Sequence, residues 1–169
     1  MIFYPSVYLN NVKEITIELL KENNIKGLLL DVDNTLIDFN HKILEGVKDW
    51  CEELKKQGIK LCILSNTNKI EKVKRVAKEL DLQYINFAKK PSKGGFIRAM
   101  ELLELKAENM AIAGDQVMTD VLGGNRMKMF TILTKPLDKK DIFITRVKRP
   151  LENFIIKKYL AKCKKESER

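Results

Sequence analysis

Short apolar runs alternating with helically spaced stretches constrain this chain more than any other feature. Gly27-Leu28-Leu29-Leu30 is a continuous apolar run behind a glycine, the pattern of a strand buried on both faces. Similar runs occupy residues 59–64, 84–87, 110–113 and 131–133. Between them, residues 43–57 carry Leu44, Val47, Cys51 and Leu54 at helical spacing and stop before Gly58, a C-cap-like glycine. Residues 70–80 repeat the pattern with Val73, Val76, Ala77 and Leu80. Phe96, Met100 and Leu103 mark a further helix, and residues 121–127 a short one. Strand and helix in alternation predict an α/β fold, a parallel sheet covered by helices on both faces. Ile15, Leu19 and Leu20 predict an extra helix before the first sheet strand. Residues 150–165 predict another at the C-terminal end, with Pro150 in its first turn. No repeat or low-complexity linker divides residues 1–169, which read as one domain.

In open α/β sheets, ligands bind at the carboxyl ends of the strands, and the notable polar residues fall there. Asp31 and Asp33 follow the first apolar run at a spacing that puts both carboxylates on one side of an extended backbone. Such a pair can divide labour, one member as nucleophile or metal ligand and the other as general acid/base. A calcium loop starting at Asp31 needs Gly at its sixth position and Glu at its twelfth, and Leu36 and Lys42 stand there instead. The second run ends in Ser65-Asn66, which offers a small hydroxyl to an anionic oxygen or a helix N-cap. Lys89-Lys90-Pro91-Ser92-Lys93-Gly94-Gly95 follows the third run and supplies either cations for a phosphoryl group or a solvated basic turn. The fourth run ends in Gly114-Asp115, with Asp120 five residues on, carboxylates suited to an oxygen-loving ion such as Mg²⁺.

Paired Asp, Ser, Lys and Asp…Asp, in this order at successive strand ends, resemble the four signature motifs of the haloacid dehalogenase (HAD) superfamily. The resemblance spans residues 31–120. It implies a Rossmann-like, three-layer αβα fold and Mg²⁺-dependent phosphomonoester hydrolysis. Asp31 is then the nucleophile that becomes an aspartyl-phosphate, and Asp33 the acid/base, with Asn34 and Thr35 beside the substrate. Ser65 hydrogen-bonds the phosphoryl oxygens, with Asn66 next to it. Lys90 matches the family's lysine, while Lys89 and Lys93 leave that assignment open, Lys93 also serving as a substrate contact. Asp115 is expected to ligate Mg²⁺ together with the Asp31 carboxylate and the Asp33 backbone carbonyl, and Asp120 to support the metal directly or through water.

Five residues separate the first motif from the next helix, and residues 65–90 hold only a helix and a strand. Neither leaves room for a cap domain, so the substrate is expected to be macromolecular or membrane-borne, or the site to be covered by a second copy. The Pro5…Tyr8 segment, Asn24-Ile25-Lys26-Gly27, and Lys90-Pro91 with Phe96 resemble a capless bacterial subgroup, the YqeG-type phosphatases, related to phosphatidylglycerophosphate phosphatases. A lipid phosphate is the substrate this implies. A nucleic-acid end or a phosphoprotein is the alternative, and a phosphate-sensing scaffold that keeps the fold is the non-enzymatic one.

Of the formal charge of +9, residues 146–169 carry nine Lys/Arg against three Glu. A basic amphipathic helix there, with Leu151, Phe154, Ile155, Tyr159 and Cys163 on one face, either lies on anionic lipid or packs on the sheet. Scattered Cys51, Cys62 and Cys163 fit a reducing compartment, and no apolar run approaches the roughly 20 residues that span a bilayer. A cytoplasmic location is expected, with contact to the membrane's inner face if the tail binds lipid. His41 reads as a surface-loop residue and Trp50 as packing.

Overall fold

The computed structural model describes residues 1–138 and 143–167, with the backbone alone for 143–149. Six parallel strands form one sheet: β1 (Val7–Leu9), β2 (Gly27–Leu30), β3 (Lys60–Leu64), β4 (Gln83–Ile85), β5 (Met110–Gly114) and β6 (Phe130–Thr134), in the order β1-β6-β5-β2-β3-β4. Helices α1 (Ile17–Glu22), α2 (Val47–Lys56), α3 (Ile70–Leu80), α4 (Lys93–Leu103), α5 (Leu122–Arg126) and α6 (Phe143–Ser167) are joined by short 3-10 turns at Val12–Glu14 and Ala107–Asn109 and a π-helical turn at Val117–Val121. The α/β expectation holds, with Rossmann-like layering.

Side-chain alternation along β2 explains why its run is wholly apolar. Leu28 and Leu30 enter one core with Val47, Cys51 and Leu54 of α2 and Val73, Val76, Ala77 and Leu80 of α3. Leu29 faces the opposite layer with Phe96, Ala99 and Leu103 of α4. Both faces are dry because both are covered, as a central parallel strand requires. Trp50 packs against the first of these cores and donates Nε1–H to the Ile15 carbonyl at 3.0 Å, a packing role as expected.

Several boundaries differ from the sequence expectation. β1 precedes α1 and pairs with β6, some 125 residues away in sequence, through Val7↔Ile132 to Leu9↔Thr134. The strand that leads into Asp31 is therefore the second in the chain, and it lies inside the sheet between β5 and β3. Helix α2 begins at Val47, four residues later than its apolar spacing suggests. Ile43 bridges to Ile37 instead, and Gly46 at φ +80° makes the turn into the helix. β4 ends at Ile85, and Phe87 at φ +49° cannot continue an extended strand. α6 starts at Phe143 and carries Pro150 inside it rather than in its first turn.

α6 packs on the sheet flank, where Ile155 and Ile156 join Val117, Val121 and Leu133. Tyr159 meets Tyr4 edge-on at 5.7 Å between ring centroids. The inward face differs from the expected one: Leu151 and Phe154 are 53% and 55% exposed, while Glu152 is buried. The basic side chains Arg146, Lys148 and Arg149 lie outside the described residues. Among the described residues, no helix is long and apolar enough to cross a membrane.

Candidate active site

Four strand ends converge on one cluster. Asp31 directly follows β2, and its backbone N–H donates to the Ala113 carbonyl of β5 at 2.9 Å, which fixes its height above the sheet. Ser65 follows β3 and is tied across to β4 by its N–H to the Ile85 carbonyl. Asp115 follows β5. Lys90 reaches the cluster from the loop after β4, held there by Asn66: Oδ1 accepts the Lys90 N–H at 2.7 Å, and Nδ2 donates to the Lys90 carbonyl at 2.9 Å. Asn66, expected beside the substrate, thus positions the lysine backbone.

Lys90 Nζ lies 2.7 Å from Asp31 Oδ1 and 2.7 Å from Asp120 Oδ1, all three residues being buried. Of the three candidate lysines it alone makes this contact. Lys89 is exposed with its ammonium 4.8 Å from the Phe87 ring centroid, and Lys93 is exposed in the first turn of α4. Asp120 arrives on a π-helical turn, Val117–Val121, that folds its side chain back over Gly114. A Cβ on Gly114 would stand 2.2 Å from Asp120 Oδ2, so only glycine admits the approach. Oδ2 also accepts the Gln116 N–H at 3.2 Å.

Burial dominates the electrostatics. It pushes the Asp31 carboxyl up to about 7, against the pull of Lys90 and with the Asp120 carboxylate pushing the same way. Burial also works against the Lys90 charge, but the Asp120 and Asp31 carboxylates outweigh it and hold the ammonium above its ordinary range. Lys90 is therefore a fixed cation, and the carboxylates around it compete for what positive charge is available.

Carboxylate oxygens of Asp31, Asp115 and Asp120 all lie within 4.8 Å of one another. Three buried, all-oxygen donors converging this closely fit a hard divalent cation such as Mg²⁺. The Asp33 carboxylate stands outside this cluster. Its Oδ1 accepts from Lys72 Nζ of α3 at 2.5 Å, and its side chain is 43% exposed. Lys72 was not singled out by sequence, because a lysine in the first turn of an amphipathic helix resembles any other solvated charge. The one available signal is that it opposes the helix dipole there.

Other candidate residues serve the frame. Asn34 adopts φ +60°, and its Oδ1 and carbonyl accept the Asp138 and Leu137 N–H groups at 3.2 and 3.1 Å. Thr35 is buried at 1% exposure. Ser65 Oγ accepts the Thr67 N–H at 3.2 Å while the residue stays buried beside the cluster. His41 sits in an exposed turn at φ +62°, as a surface-loop residue should. Neither connection that could hold a cap carries a further folded unit: residues 31–46 form only isolated bridges, and α3 alone joins β3 to β4.

Residues 40–128 match the haloacid dehalogenase-like hydrolase family, a span that starts after Asp31 and Asp33. Full-length similarity covers those two as well. The chain is 42% identical over 155 residues to the "Probable phosphatase YqeG" of Bacillus subtilis, covering 91% of this chain and 90% of that protein. It is 27% identical to the Arabidopsis thaliana "Phosphatidylglycerophosphate phosphatase 1, chloroplastic/mitochondrial", over 94% of this chain and 48% of that protein. A HAD phosphatase structure from Thermococcus onnurineus shares the fold, with a TM-score of 0.51 at 20% identity, covering 60% of this chain and 50% of that one. With its strand-end cluster and these similarities, the chain belongs to the haloacid dehalogenase-like hydrolases and is an enzyme of their phosphatase kind.

Proposed function

We propose that the chain is a Mg²⁺-dependent phosphomonoester hydrolase working through an aspartyl-phosphate, and that its substrate is a lipid phosphate. The observation that carries the reaction is the division of the two motif aspartates. Asp31 lies buried against Lys90, and Asp33 stands at the exposed edge beside Lys72. An Asp31 carboxylate oxygen attacks phosphorus, the bond from phosphorus to the leaving oxygen breaks, and the Asp33 carboxyl gives that oxygen its proton. Asp33, now a carboxylate, takes a proton from water as the water oxygen attacks the phosphoryl group. The bond between phosphorus and Asp31 breaks, inorganic phosphate leaves, and both side chains return to their starting states. Ser65 donates its hydroxyl to the phosphoryl oxygens, and Lys90 neutralises charge on the attacking carboxylate and the group in transfer. Asp31, Asp115 and the Asp33 carbonyl would hold Mg²⁺, with Asp120 fixing Lys90 and supporting the ion. Bound there, the ion supplies charge neutralisation to the phosphoryl oxygens.

The uncapped mouth supports a substrate that brings its own bulk. Phe39 and Phe87, each 50% exposed, lie in loops at the carboxyl end of the sheet, apolar side chains suited to a membrane-borne substrate. α6 leaves Phe154, Lys157, Lys158 and Lys162 exposed, a face suited to an anionic bilayer. Similarity to the plant phosphatidylglycerophosphate phosphatase favours the same substrate class. Buried free thiols at Cys51 and Cys62 fit a cytoplasmic enzyme bound at the inner membrane face.

The test is hydrolysis of p-nitrophenyl phosphate with Mg²⁺ and with EDTA, followed by rapid quench with a labelled substrate. Label should appear on Asp31 as a hydroxylamine-sensitive adduct, and Asp31→Asn should abolish it. A folded protein with no Mg²⁺-dependent turnover overturns the reading. Flotation on anionic liposomes, run beside assays on a lipid phosphate and a 5′-phosphorylated oligonucleotide, tests the substrate. Turnover of the oligonucleotide alone overturns the lipid assignment.

A further inference from the structure

Lys72 is placed where neither packing nor helix electrostatics asks for a cation. It occupies the third position of α3, where the partial positive charge of the helix end disfavours an ammonium. It lies off the apolar stripe of Val73, Val76, Ala77 and Leu80, yet its side chain is only 12% exposed. What holds it is the Asp33 carboxylate at 2.5 Å.

The site has an inner and an outer side. Asp31, Ser65, Lys90, Asp115 and Asp120 are buried, so the phosphoryl group in transfer belongs among them. Asp33 is only half-buried, its side chain 43% exposed, and the leaving oxygen it protonates must lie toward solvent. The Lys72 ammonium is therefore one hydrogen bond beyond the leaving oxygen, on the side occupied by the alcohol half of the substrate. Arg75, three residues further along α3, has another duty: its Nη2 donates to the His41 carbonyl and its Nη1 lies 3.8 Å from Glu79. Lys74 pairs with Glu71, and among the described ion pairs of α3 it is Lys72 that meets a candidate catalytic carboxylate.

We infer that Lys72 determines specificity by reading a second anionic phosphate group carried on the alcohol half of the substrate. The inference rests on the proposed role of Asp33. An ammonium on a flexible four-carbon stem can move from the Asp33 carboxylate to a phosphate a few ångströms further out. That exchange replaces one charge-assisted hydrogen bond with another and leaves Asp33 facing the leaving oxygen. A substrate with a neutral alcohol half offers nothing in exchange. The preferred substrates are thus phosphomonoesters whose leaving group bears a phosphodiester or a second phosphate, lipid headgroup or soluble metabolite alike.

The experiment compares a matched pair, glycerol 1-phosphate and glycerol 1,3-bisphosphate, with wild type, Lys72→Gln and Lys72→Arg. Wild type should favour the bisphosphate in kcat/KM, and Lys72→Gln should cut that preference by roughly 10- to 100-fold, mainly through KM. Lys72→Arg should restore most of the preference. Equal losses on both substrates in Lys72→Gln, or an unchanged ratio, overturn the inference and leave the phosphatase reading standing. Failure of wild type on both substrates and on p-nitrophenyl phosphate overturns the phosphatase reading itself. A diacylated phosphodiester analogue in mixed micelles identifies the source: a higher kcat/KM than its deacylated form assigns the lipid headgroup, and equal values the soluble one.

Discussion

Lys90 Nζ lies 2.7 Å from Asp31 Oδ1, and the same ammonium holds Asp120 at the same distance. Two buried carboxylates thus share one buried cation, and the position of Asp31 depends on a residue 59 places away in sequence. This arrangement explains why Asp31 is at once ionisable and immobile. Its partner cannot leave without stranding two charges in a dry site.

Removing Lys90 should therefore cost stability as well as catalysis. Lys90→Ala is expected to destabilise the protein by roughly 3–5 kcal/mol at neutral pH, because two buried carboxylates lose their common partner. Urea unfolding at pH 7.5 measures this, and a loss below about 1 kcal/mol would contradict the contact. Turnover of p-nitrophenyl phosphate should fall at least about 100-fold, as for the loss of a transition-state charge donor.

Asp31 gives a pH signature in the metal-free protein. Burial raises its carboxyl from 3.8 to about 7, so the folded state holds a proton that the unfolded state releases between those values. The stability from this group is full below about 3.8 and is lost as pH rises through about 7. Mg²⁺ bound as proposed would displace that proton. Calorimetric titration in buffers of different ionisation enthalpy should show proton release near pH 6, and almost none at pH 8.5. Binding should tighten as pH rises and level off above about 7.

Gly114→Ala isolates the approach of Asp120 from the chemistry itself. The added methyl would meet Asp120 Oδ2 at 2.2 Å and Cγ at 2.3 Å, which displaces the carboxylate from Lys90. Activity is expected to drop at least about 100-fold, with unfolding cheaper by roughly 1–3 kcal/mol. Wild-type kinetics in this variant would show that the tight turn is not required.

Thiol labelling reports on how α6 sits. Burial pushes the Cys51 and Cys62 thiols up to about 12, while Cys163 on α6 is only half-buried. A thiol-reactive dye at pH 8 should modify Cys163 within minutes and reach Cys51 and Cys62 only on global unfolding. Fast reaction of all three would mean that the two cores are not closed.

Much of this protein was determined by residues acting locally. Apolar runs such as Leu28-Leu29-Leu30 and the stripe Val73, Val76, Ala77, Leu80 declare strand and helix because burial periodicity is a property of neighbouring residues. Asp31, Asp33, Ser65 and Asp115 were legible because each sits at or just past the end of such a run. Strand β1 was not, since three residues carry no periodicity and their partner, β6, is distant in the chain. Helix α2 starts later than its apolar spacing implies because Ile43 and Leu44 are apolar for a different reason: they anchor the connection after the first motif against the core. Which lysine reaches Asp31 was undetermined in Lys89-Lys90-Pro91-Ser92-Lys93, where three equal charges follow one strand. The Asn66 brace and the turn at Lys89, φ +55°, decide it. The pairing of Lys72 with Asp33 and the inward face of α6 belong to the same class. Spacing along the chain says what each element can bury, but an ion pair between elements exists only once the sheet order has fixed which strand ends meet.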